Sequence, residues 1–389
     1  MTKLLAVLID GLNYRFVTKD RLPFVSTLQQ RRIETILGFS IACHATILTG
    51  VYPETHLHWF HLGYSPQTSP FRGAQYIPNW LVQSMPYIVK KAIFKVFGRL
   101  AGNRSVFGIP YPNRLHTKFW PYLDAMEHSL PHEPNAYRYV PSVFDILTAQ
   151  GVPWHALGMV RTMSARALGM SGIDLVRKQL EKTLVEDAQF VYVLFGDIDM
   201  LSHFYGQDSD VVTARLQKID RLVAGIHRQM GPDTQLLAFS DHGHVPLNSY
   251  VDIYQYMGDI LSDTMHLVDD MYLRVWEQNL SKRAQIIDRI RQVPHLKVLS
   301  EEELEGYHVK MPDNRYGDVI AVLDTGIGFR RTTWTNQEIE YVSMHGFRPE
   351  HDLCYGFASS SFALEVQRKD VGLVELLPAV LHQLDTIDE

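Results

Sequence analysis

Short runs of apolar residues alternate along the chain with segments in which apolar residues recur every three or four positions. The runs predict strands at Leu4–Ile9, Trp154–Met159, Phe190–Phe195 and Gln235–Phe239, and the helical spacing predicts amphipathic helices at Pro141–Gln150, Leu175–Glu186 and Val211–Met230. Strands that alternate with helices indicate βαβ units. We therefore predict an α/β fold with a mainly parallel central sheet flanked by helices, whose chemistry lies at the carboxyl ends of the strands.

Two regions interrupt this alternation. Residues 59–139 are rich in Pro and aromatic residues without a strand and helix rhythm, and they predict an insertion or lid. Residues 251–333 contain two strand-like runs, Met271–Trp276 and Asp318–Leu323, around a helical run at Ser281–Gln292, and they predict a small α+β appendage. The catalytic core is then expected to comprise residues 1–58, 140–250 and 334–389.

Composition excludes several protein classes. With 46% hydrophobic residues in 389 positions, the chain is neither disordered nor fibrous. A net charge of −6 gives no reason to expect a nucleic-acid partner. Two cysteines, Cys43 and Cys354, cannot build a disulfide framework or a paired-cysteine zinc site. Neither a signal peptide nor a run of about 18 apolar residues is found, so a cytoplasmic location is expected.

Two clusters near the N-terminus carry candidate chemistry. Asp10-Gly11 ends the first predicted strand, where the pair by itself is most often only a turn. Ser40 stands at a loop-to-helix transition in the segment 38–56. A serine there is commonly a helix N-cap, whereas a nucleophilic hydroxyl would meet an anion at the helix N-terminus. Position alone favours the cap.

Three later clusters add carboxylates and imidazoles. Asp199 and His203 are four residues apart, which places them on one face of a helix. Asp241-His242 follows a buried strand, where such groups are costly to bury unless they are paired or coordinated. His345-Gly346 supplies another imidazole. With Asp10, this donor set suits zinc or manganese better than magnesium, and it is large enough for two divalent ions of the kind that promote phosphoryl transfer.

In order and spacing these clusters resemble the alkaline phosphatase superfamily, most closely its nucleotide pyrophosphatase/phosphodiesterase branch. The resemblance rests on five stretches: Leu8–Gly11, Ser40–His56, Asp199–Gly206, Ser240–Gly243 and His345-Gly346. It implies a two-metal phosphodiesterase or pyrophosphatase in which Asp10, Ser40, Asp241 and His242 bind one ion. Asp199, His203 and His345 would bind the other. Ser40 would attack phosphorus and form a phosphoserine intermediate, which water then releases.

Two departures from the branch bear on the substrate. Ser40 replaces the usual threonine, which preserves a nucleophilic hydroxyl, and Cys43 stands where the branch commonly has an asparagine that contacts a phosphate oxygen. Cys43 is therefore a candidate substrate contact. The substrate is expected to be a small phosphate ester, and both a nucleotide and a lipid-linked ester stay open.

Other interpretations also stay open. Residues 86–100 carry Lys91, Lys95 and Arg99 on one helical stripe and apolar residues on another, which fits either peripheral membrane contact or ordinary packing. The same superfamily includes phosphomonoesterases, phosphonate hydrolases, sulfatases and phosphotransferases. A binding protein that uses metals only to hold its fold is a non-enzymatic alternative, against which the presence of Ser40 beside a complete ligand set argues.

Overall fold

The fold was analysed in a computed structural model that describes residues 2–86, 88–90, 92, 93, 96, 113–159, 171–334, 340–366 and 368–384. Its strands are β1 Lys3–Ile9, β2 Gln29–Glu34, β3 Leu62–Tyr64, β4 Leu123–Ala125, β5 Trp154–Leu157, β6 Phe190–Phe195, β7 Thr234–Phe239, β8 Val245–Pro246, β9 Ser249–Val251, β10 Met265–Val268, β11 Tyr272–Trp276, β12 Leu296–Val298, β13 Val319–Leu323, β14 Ile327–Phe329, β15 Ser343–Met344, β16 Gly356–Ser360 and β17 Val371–Gly372. Its α-helices are α1 Ser40–Thr49, α2 Pro53–His56, α3 Asn79–Ser84, α4 Val143–Ala149, α5 Gly172–Leu180, α6 Asp197–Tyr205, α7 Asp210–Met230, α8 Ile253–Leu261, α9 Leu280–Ile290, α10 Glu301–Gly306 and α11 Leu376–Gln383.

The chain divides into two compact units. The first unit comprises Met1–His56, Leu130–Pro246 and Val342–Glu389, and the second comprises Leu57–Ser129 and Leu247–Tyr341. The insertion and the appendage of the sequence-based prediction both fall largely within the second unit. Their separation into two domains stays a prediction.

The first unit is built around a seven-stranded sheet in the order β17-β2-β16-β7-β1-β6-β5. Strands β7, β1, β6 and β5 run parallel, and β16 is antiparallel to both of its neighbours. The side chains of β1 and β6 are buried almost throughout, as expected for central strands covered on both faces. The predicted α/β fold with a mainly parallel sheet is confirmed.

Predicted element bounds agree closely with the structure except at one helix. Phe190–Phe195 is reproduced without change, and the long amphipathic helix begins one residue earlier than predicted, at Asp210. The helix predicted at Leu175–Glu186 instead spans Gly172–Leu180. It begins there because Ser171 and Asp174 form a capping box, a start signal that apolar periodicity does not register.

The second unit contains a four-stranded antiparallel sheet in the order β10-β11-β13-β12. Two small sheets, β3 with β4 and β9 with β14, lie in the same unit. Met271–Trp276 and Asp318–Leu323 thus form the neighbouring strands β11 and β13, each one residue shorter than predicted. Lys91, Lys95 and Arg99 of the predicted basic helix lie outside the described residues. Within the described ranges, no helix is long and apolar enough to cross a membrane.

Candidate metal centre

Strand register in the first unit places three polar loops at one edge of the sheet. Ile9 of β1 pairs with Phe195 of β6, and Leu8 pairs with Phe239 of β7. Because the three strands are parallel, the residues that follow them meet at the same end. These are Asp10-Gly11 after β1, helix α6 after β6, and Ser240 to His244 after β7.

A carboxylate-rich group gathers Asp10, Asp241 and His242, all of them buried. The His242 Nε2 atom lies 3.3 Å from Asp241 Oδ2 and 3.6 Å from Asp10 Oδ1. The His242 Nδ1 atom donates to the Gly243 carbonyl at 3.1 Å, which leaves the lone pair on Nε2 directed toward the two carboxylates. Asp241 Oδ1 accepts a hydrogen bond from the Gly11 backbone N–H at 3.1 Å, which fixes that carboxylate.

Ser40 belongs to this group and is not the helix cap. It is the first residue of α1, whose N-cap is Phe39 and has no side-chain capping bond. The Ser40 hydroxyl lies 3.0 Å from His242 Nε2 and 3.4 Å from Asp10 Oδ1. The N-cap interpretation is therefore wrong, because Phe39 occupies the cap position and the Ser40 hydroxyl contacts the buried cluster.

An imidazole-rich group surrounds Asp199. Three imidazole Nε2 atoms approach Asp199 Oδ1: His203 at 3.3 Å, His244 at 3.0 Å and His345 at 3.2 Å. The predicted Asp199–His203 spacing on one helix face is confirmed by α6. His244 was not among the predicted ligands, although it follows Asp241-His242-Gly243 directly in the sequence.

Ser343 orients two of these imidazoles. Its carbonyl accepts from His203 Nδ1 at 3.1 Å. Its hydroxyl donates to the Ser202 carbonyl at 2.6 Å and so must accept from His244 Nδ1, which lies at 3.1 Å. Both rings therefore carry their proton on Nδ1 and present an Nε2 lone pair to Asp199, the second-shell arrangement typical of metal-binding histidines.

The two groups are neighbours. The rings of His242 and His345, one from each group, stack with centroids 3.8 Å apart. Gly11 fits between them with a φ of 75°, and a Cβ atom there would come within 3.0 Å of both Asp199 and His244 Nε2. Gln207 holds this turn, since its side chain donates to the Gly11 carbonyl and accepts from the Asn13 N–H. Sequence reasoning missed Gln207, which no ligand-type pattern marks.

The two groups differ in the pKa of their carboxylates. Burial, reinforced by the charges of Asp241 and Asp199, raises the pKa of Asp10 well above its ordinary value. Burial opposes the ionisation of Asp199, but its interactions with the surrounding imidazoles, His203 first among them, outweigh the effect of burial and hold its pKa well below the ordinary value. Burial lowers the pKa of His244 to about 4 and places that of His345 well below its usual range. The lowered pKa keeps the imidazoles of His244 and His345 neutral, as metal ligands must be.

The donors present fit divalent cations. Asp241 Oδ2 is buried without a hydrogen-bond donor in the part of the chain that the structure describes, beside a second buried carboxylate. Buried carboxylates in such proximity are stable only when protonated, paired or coordinated. Each group offers carboxylate oxygen and imidazole nitrogen within reach of a single ion, and the deprotonated nitrogens already face the carboxylates.

Other residues of the predicted motifs are placed nearby in different roles. His44 Nε2 lies 3.6 Å from Asp10 Oδ2 and 3.5 Å from Asp241 Oδ2, so it braces both carboxylates. His56 contacts the Thr46 hydroxyl at 3.0 Å and joins α2 to α1. Cys43 is fully buried with its thiol 3.7 Å from the Thr35 hydroxyl, and burial raises its pKa well above the ordinary value. Its role as a substrate contact stays a prediction.

Comparison with known proteins identifies a family by sequence and similar folds by structure. The family model for type I phosphodiesterase / nucleotide pyrophosphatase matches residues 4–348. Human ectonucleotide pyrophosphatase / phosphodiesterase 5 has a similar structure, with a TM-score of 0.67 and 14% identity over 100% of this chain and 96% of that one. The murine form of that protein, solved as an inactive variant in complex with AMP, gives a TM-score of 0.65 and 13% identity over 99% and 95% of the two chains.

A search of curated proteins gives no match. The family match spans most of the chain and includes every predicted site residue from Asp10 to His345. Membership implies dependence on divalent metal ions, which the two ligand groups can hold. The chain belongs to the type I phosphodiesterase / nucleotide pyrophosphatase family, in the alkaline phosphatase superfamily, and is a hydrolase that acts on phosphoric ester bonds.

Proposed function

We propose that the protein hydrolyses a phosphate diester or pyrophosphate through a phosphoserine intermediate on Ser40. The observation that carries this proposal is the position of the Ser40 hydroxyl, 3.0 Å from His242 and 3.4 Å from Asp10. Ser40 is also the first residue of the ten-residue helix α1, whose N-terminal dipole favours a developing negative charge. The site thus combines a nucleophile with stabilisation of an anion.

Two ligand sets support a pair of divalent ions, most simply zinc, with manganese as the second choice. Asp10, Ser40, Asp241 and His242 would hold one ion, and Asp199, His203, His244 and His345 the other. Ions held there would polarise a phosphoryl oxygen and favour the ionised form of a bound hydroxyl. The mixture of imidazole and carboxylate donors favours zinc over magnesium, which prefers oxygen ligands and retained water.

The chain's own groups then perform a two-step displacement. In the first step the Ser40 oxygen forms a bond to phosphorus as the bond to the leaving oxygen breaks. In the second step water forms a bond to the same phosphorus as the bond to the Ser40 oxygen breaks, and a proton of that water restores the Ser40 hydroxyl. His44 and the Gly11 N–H keep Asp10 and Asp241 in place during both steps. Gly243, through its carbonyl, keeps His242 in the tautomer that faces Ser40.

The substrate class is proposed from the family and its structural relatives. The murine relative was solved in complex with AMP, which supports a nucleotide ester as the first substrate to test. A phosphomonoester, a phosphonate or a sulfate is the alternative within the superfamily. A panel of the p-nitrophenyl ester of a nucleoside 5′-monophosphate, bis-p-nitrophenyl phosphate, p-nitrophenyl phosphate and p-nitrophenyl sulfate separates these chemistries, and the two diesters should have the largest kcat/KM.

Replacement of the nucleophile tests the mechanism. We expect Ser40→Ala to reduce diester hydrolysis by about 10³-fold or more, because only electrostatic stabilisation of the substrate would be left. The matched control is Thr49→Val on the same helix, whose hydroxyl donates to the Ala45 carbonyl at 2.6 Å, and this variant should keep full activity. Near-normal turnover by Ser40→Ala, with no phosphoprotein trapped by acid quenching of the parent enzyme, would disprove the covalent mechanism.

A further inference from the structure

A cavity of about 480 Å³ lies entirely within the second unit, and none of its lining residues belongs to the metal centre. Its wall comes from the segment 113–119, from helix α8 and the strand that follows it, and from Arg331. The volume falls in the range of small-molecule sites, which are mainly apolar with a few fixed polar groups.

The lining is cationic. It includes Arg114 and Arg331, and among the described lining residues there is no carboxylate. Arg331 is already paired, since its Nε donates to Asp252 Oδ1 at 3.0 Å. Arg114 differs, because its Nε is buried and has no hydrogen-bond partner in the described ranges. Because Arg114 lines the cavity and no carboxylate is paired with its guanidinium among the described residues, Arg114 is the open anion-binding group of the cavity.

Nearby polar groups have defined hydrogen-bonding states. His116 Nδ1 accepts from the Lys118 N–H at 3.1 Å, so its Nε2 is a donor. His266 Nδ1 donates to the Thr264 carbonyl at 2.9 Å, and the Tyr254 hydroxyl lies 3.5 Å from the other ring nitrogen. Burial raises the pKa of Tyr254 to about 12 despite the opposing charge of Arg114, so the phenol stays protonated. The cavity therefore presents donors and positive charge without a fixed negative charge.

Apolar groups complete the wall. Phe119 and Tyr254 supply aromatic surface, and Leu261 is almost fully buried beside them. The Arg331 guanidinium lies 5.4 Å from the centre of the Tyr254 ring, which fixes the orientation of that ring. A charged ligand without an apolar part would not pack against this apolar surface.

We propose that the cavity binds a small organic anion whose phosphate or carboxylate group pairs with Arg114 and whose aromatic or alicyclic body packs on Phe119 and Tyr254. Arginine forms paired hydrogen bonds with both kinds of oxyanion, so the shared chemistry is an oxyanion attached to an apolar body. The proposal does not depend on the function proposed for the metal centre.

Calorimetric titration of the full-length Ser40→Ala protein with phenyl phosphate, benzoate and inorganic phosphate tests this site and separates the two oxyanions. We expect phenyl phosphate or benzoate to bind, and Arg114→Gln to weaken that binding at least tenfold. Arg72→Gln is the matched control, since Arg72 is an exposed arginine of the same unit that bonds to the Pro66 carbonyl. Binding of phenyl phosphate to the metal centre is distinguished because EDTA abolishes it and Arg114→Gln leaves it unchanged.

A second variant closes the cavity without removing a charge. Gly258 of α8 lines it, and a Cβ atom there would meet only Tyr254 Cβ, at 4.0 Å. Gly258→Leu should therefore fold, melt no lower than the parent because leucine favours helix over glycine, and lose the same binding event. Absence of any EDTA-resistant binding to the parent, or binding that both variants keep, would overturn the proposal. Inorganic phosphate that binds as tightly as phenyl phosphate would overturn the contribution of the apolar body.

Discussion

The two units differ in how their buried charged side chains are paired. In the second unit Arg274 is fully buried, yet its guanidinium donates to Asp269 Oδ2 at 2.7 Å and to the Leu62 carbonyl at 2.9 Å, and it lies over the Phe60 ring. Asp269 also accepts from the Trp334 indole N–H at 3.1 Å. In the first unit the buried carboxylates of Asp10 and Asp241 are neighbours, and no arginine or lysine is paired with them among the described residues.

This difference distinguishes buried charged groups that stabilise the fold from buried charged groups that can bind a cation. The Arg274–Asp269 pair is satisfied by the protein, so removal of one member leaves the other unpaired inside the unit. The carboxylates and imidazoles of the metal centre have an excess of lone pairs over donors, and a cation is what satisfies them. Burial of a charged group by itself therefore does not indicate function, whereas burial of several acceptors without donors does.

The largest effect on stability is expected at Arg274. Arg274→Met should lower the free energy of unfolding by about 3–5 kcal/mol, because Asp269 is left as an unpaired buried charge. The loss should be the same with and without EDTA, as measured by urea denaturation. Arg291→Met is the control, since Arg291 is 70% exposed and should change stability by less than about 0.5 kcal/mol. An unchanged free energy of unfolding in Arg274→Met would show that this pair does not stabilise the fold.

Much of the first unit could be predicted from sequence because its signals are local. Strands such as β1 and β6 are short continuous apolar runs, and the register of a parallel sheet brings their ends together whatever lies between them. The ligand residues directly follow these strands or lie on one helix turn, so residue type and spacing were enough to predict Asp10, Asp199, His203, Asp241 and His242 as members of one site.

The rest depends on contacts that sequence spacing does not encode. The role of His244 follows from Ser343, which is 99 residues further along the chain and orients it through the Ser343 hydroxyl. Position alone favours Ser40 as the cap of α1, and the resemblance to a known family is needed to suggest a nucleophile. The contact with His242, which follows β7, is what position cannot predict. The cavity around Arg114 combines segments more than 200 residues apart, and no motif marks it.

Asp241→Asn should produce the largest effect on the metal centre apart from replacement of Ser40. The amide is a poorer ligand than the carboxylate, so we expect the variant to lose about one of two bound metal ions and about 100-fold in activity. Metal analysis of dialysed protein together with diester hydrolysis measures both quantities. The same assays on Arg274→Met, at a temperature where it is folded, should give normal metal content. Unchanged stoichiometry and rate in Asp241→Asn would refute the ligand assignment.

Ser343→Ala should have a smaller effect on the imidazole-rich group. It removes the hydroxyl that fixes the His244 tautomer but keeps the carbonyl that fixes His203, so we expect metal affinity to fall by about tenfold. Competition with a chromogenic chelator measures this affinity. Ser359→Ala is the control, because the Ser359 hydroxyl is buried and has no hydrogen-bond partner within the described part of the chain. Equal affinities in the two variants would mean that His244 is not a ligand.

The smallest expected effect concerns the protonation of a histidine in the second unit that belongs to neither ligand group. Burial, aided by the charge of Arg274, lowers the pKa of His61 to about 4, against about 6.5 when the chain is unfolded. The folded state then binds fewer protons than the unfolded state, so the contribution of neutral His61 to stability is complete above pH 6.5 and is lost as the pH falls toward 4. Urea denaturation of EDTA-treated protein between pH 7 and pH 5 should show this loss. His61→Gln should reduce proton uptake on unfolding by up to about one proton, and an unchanged dependence of stability on pH in this variant would show that folding does not lower the pKa of His61.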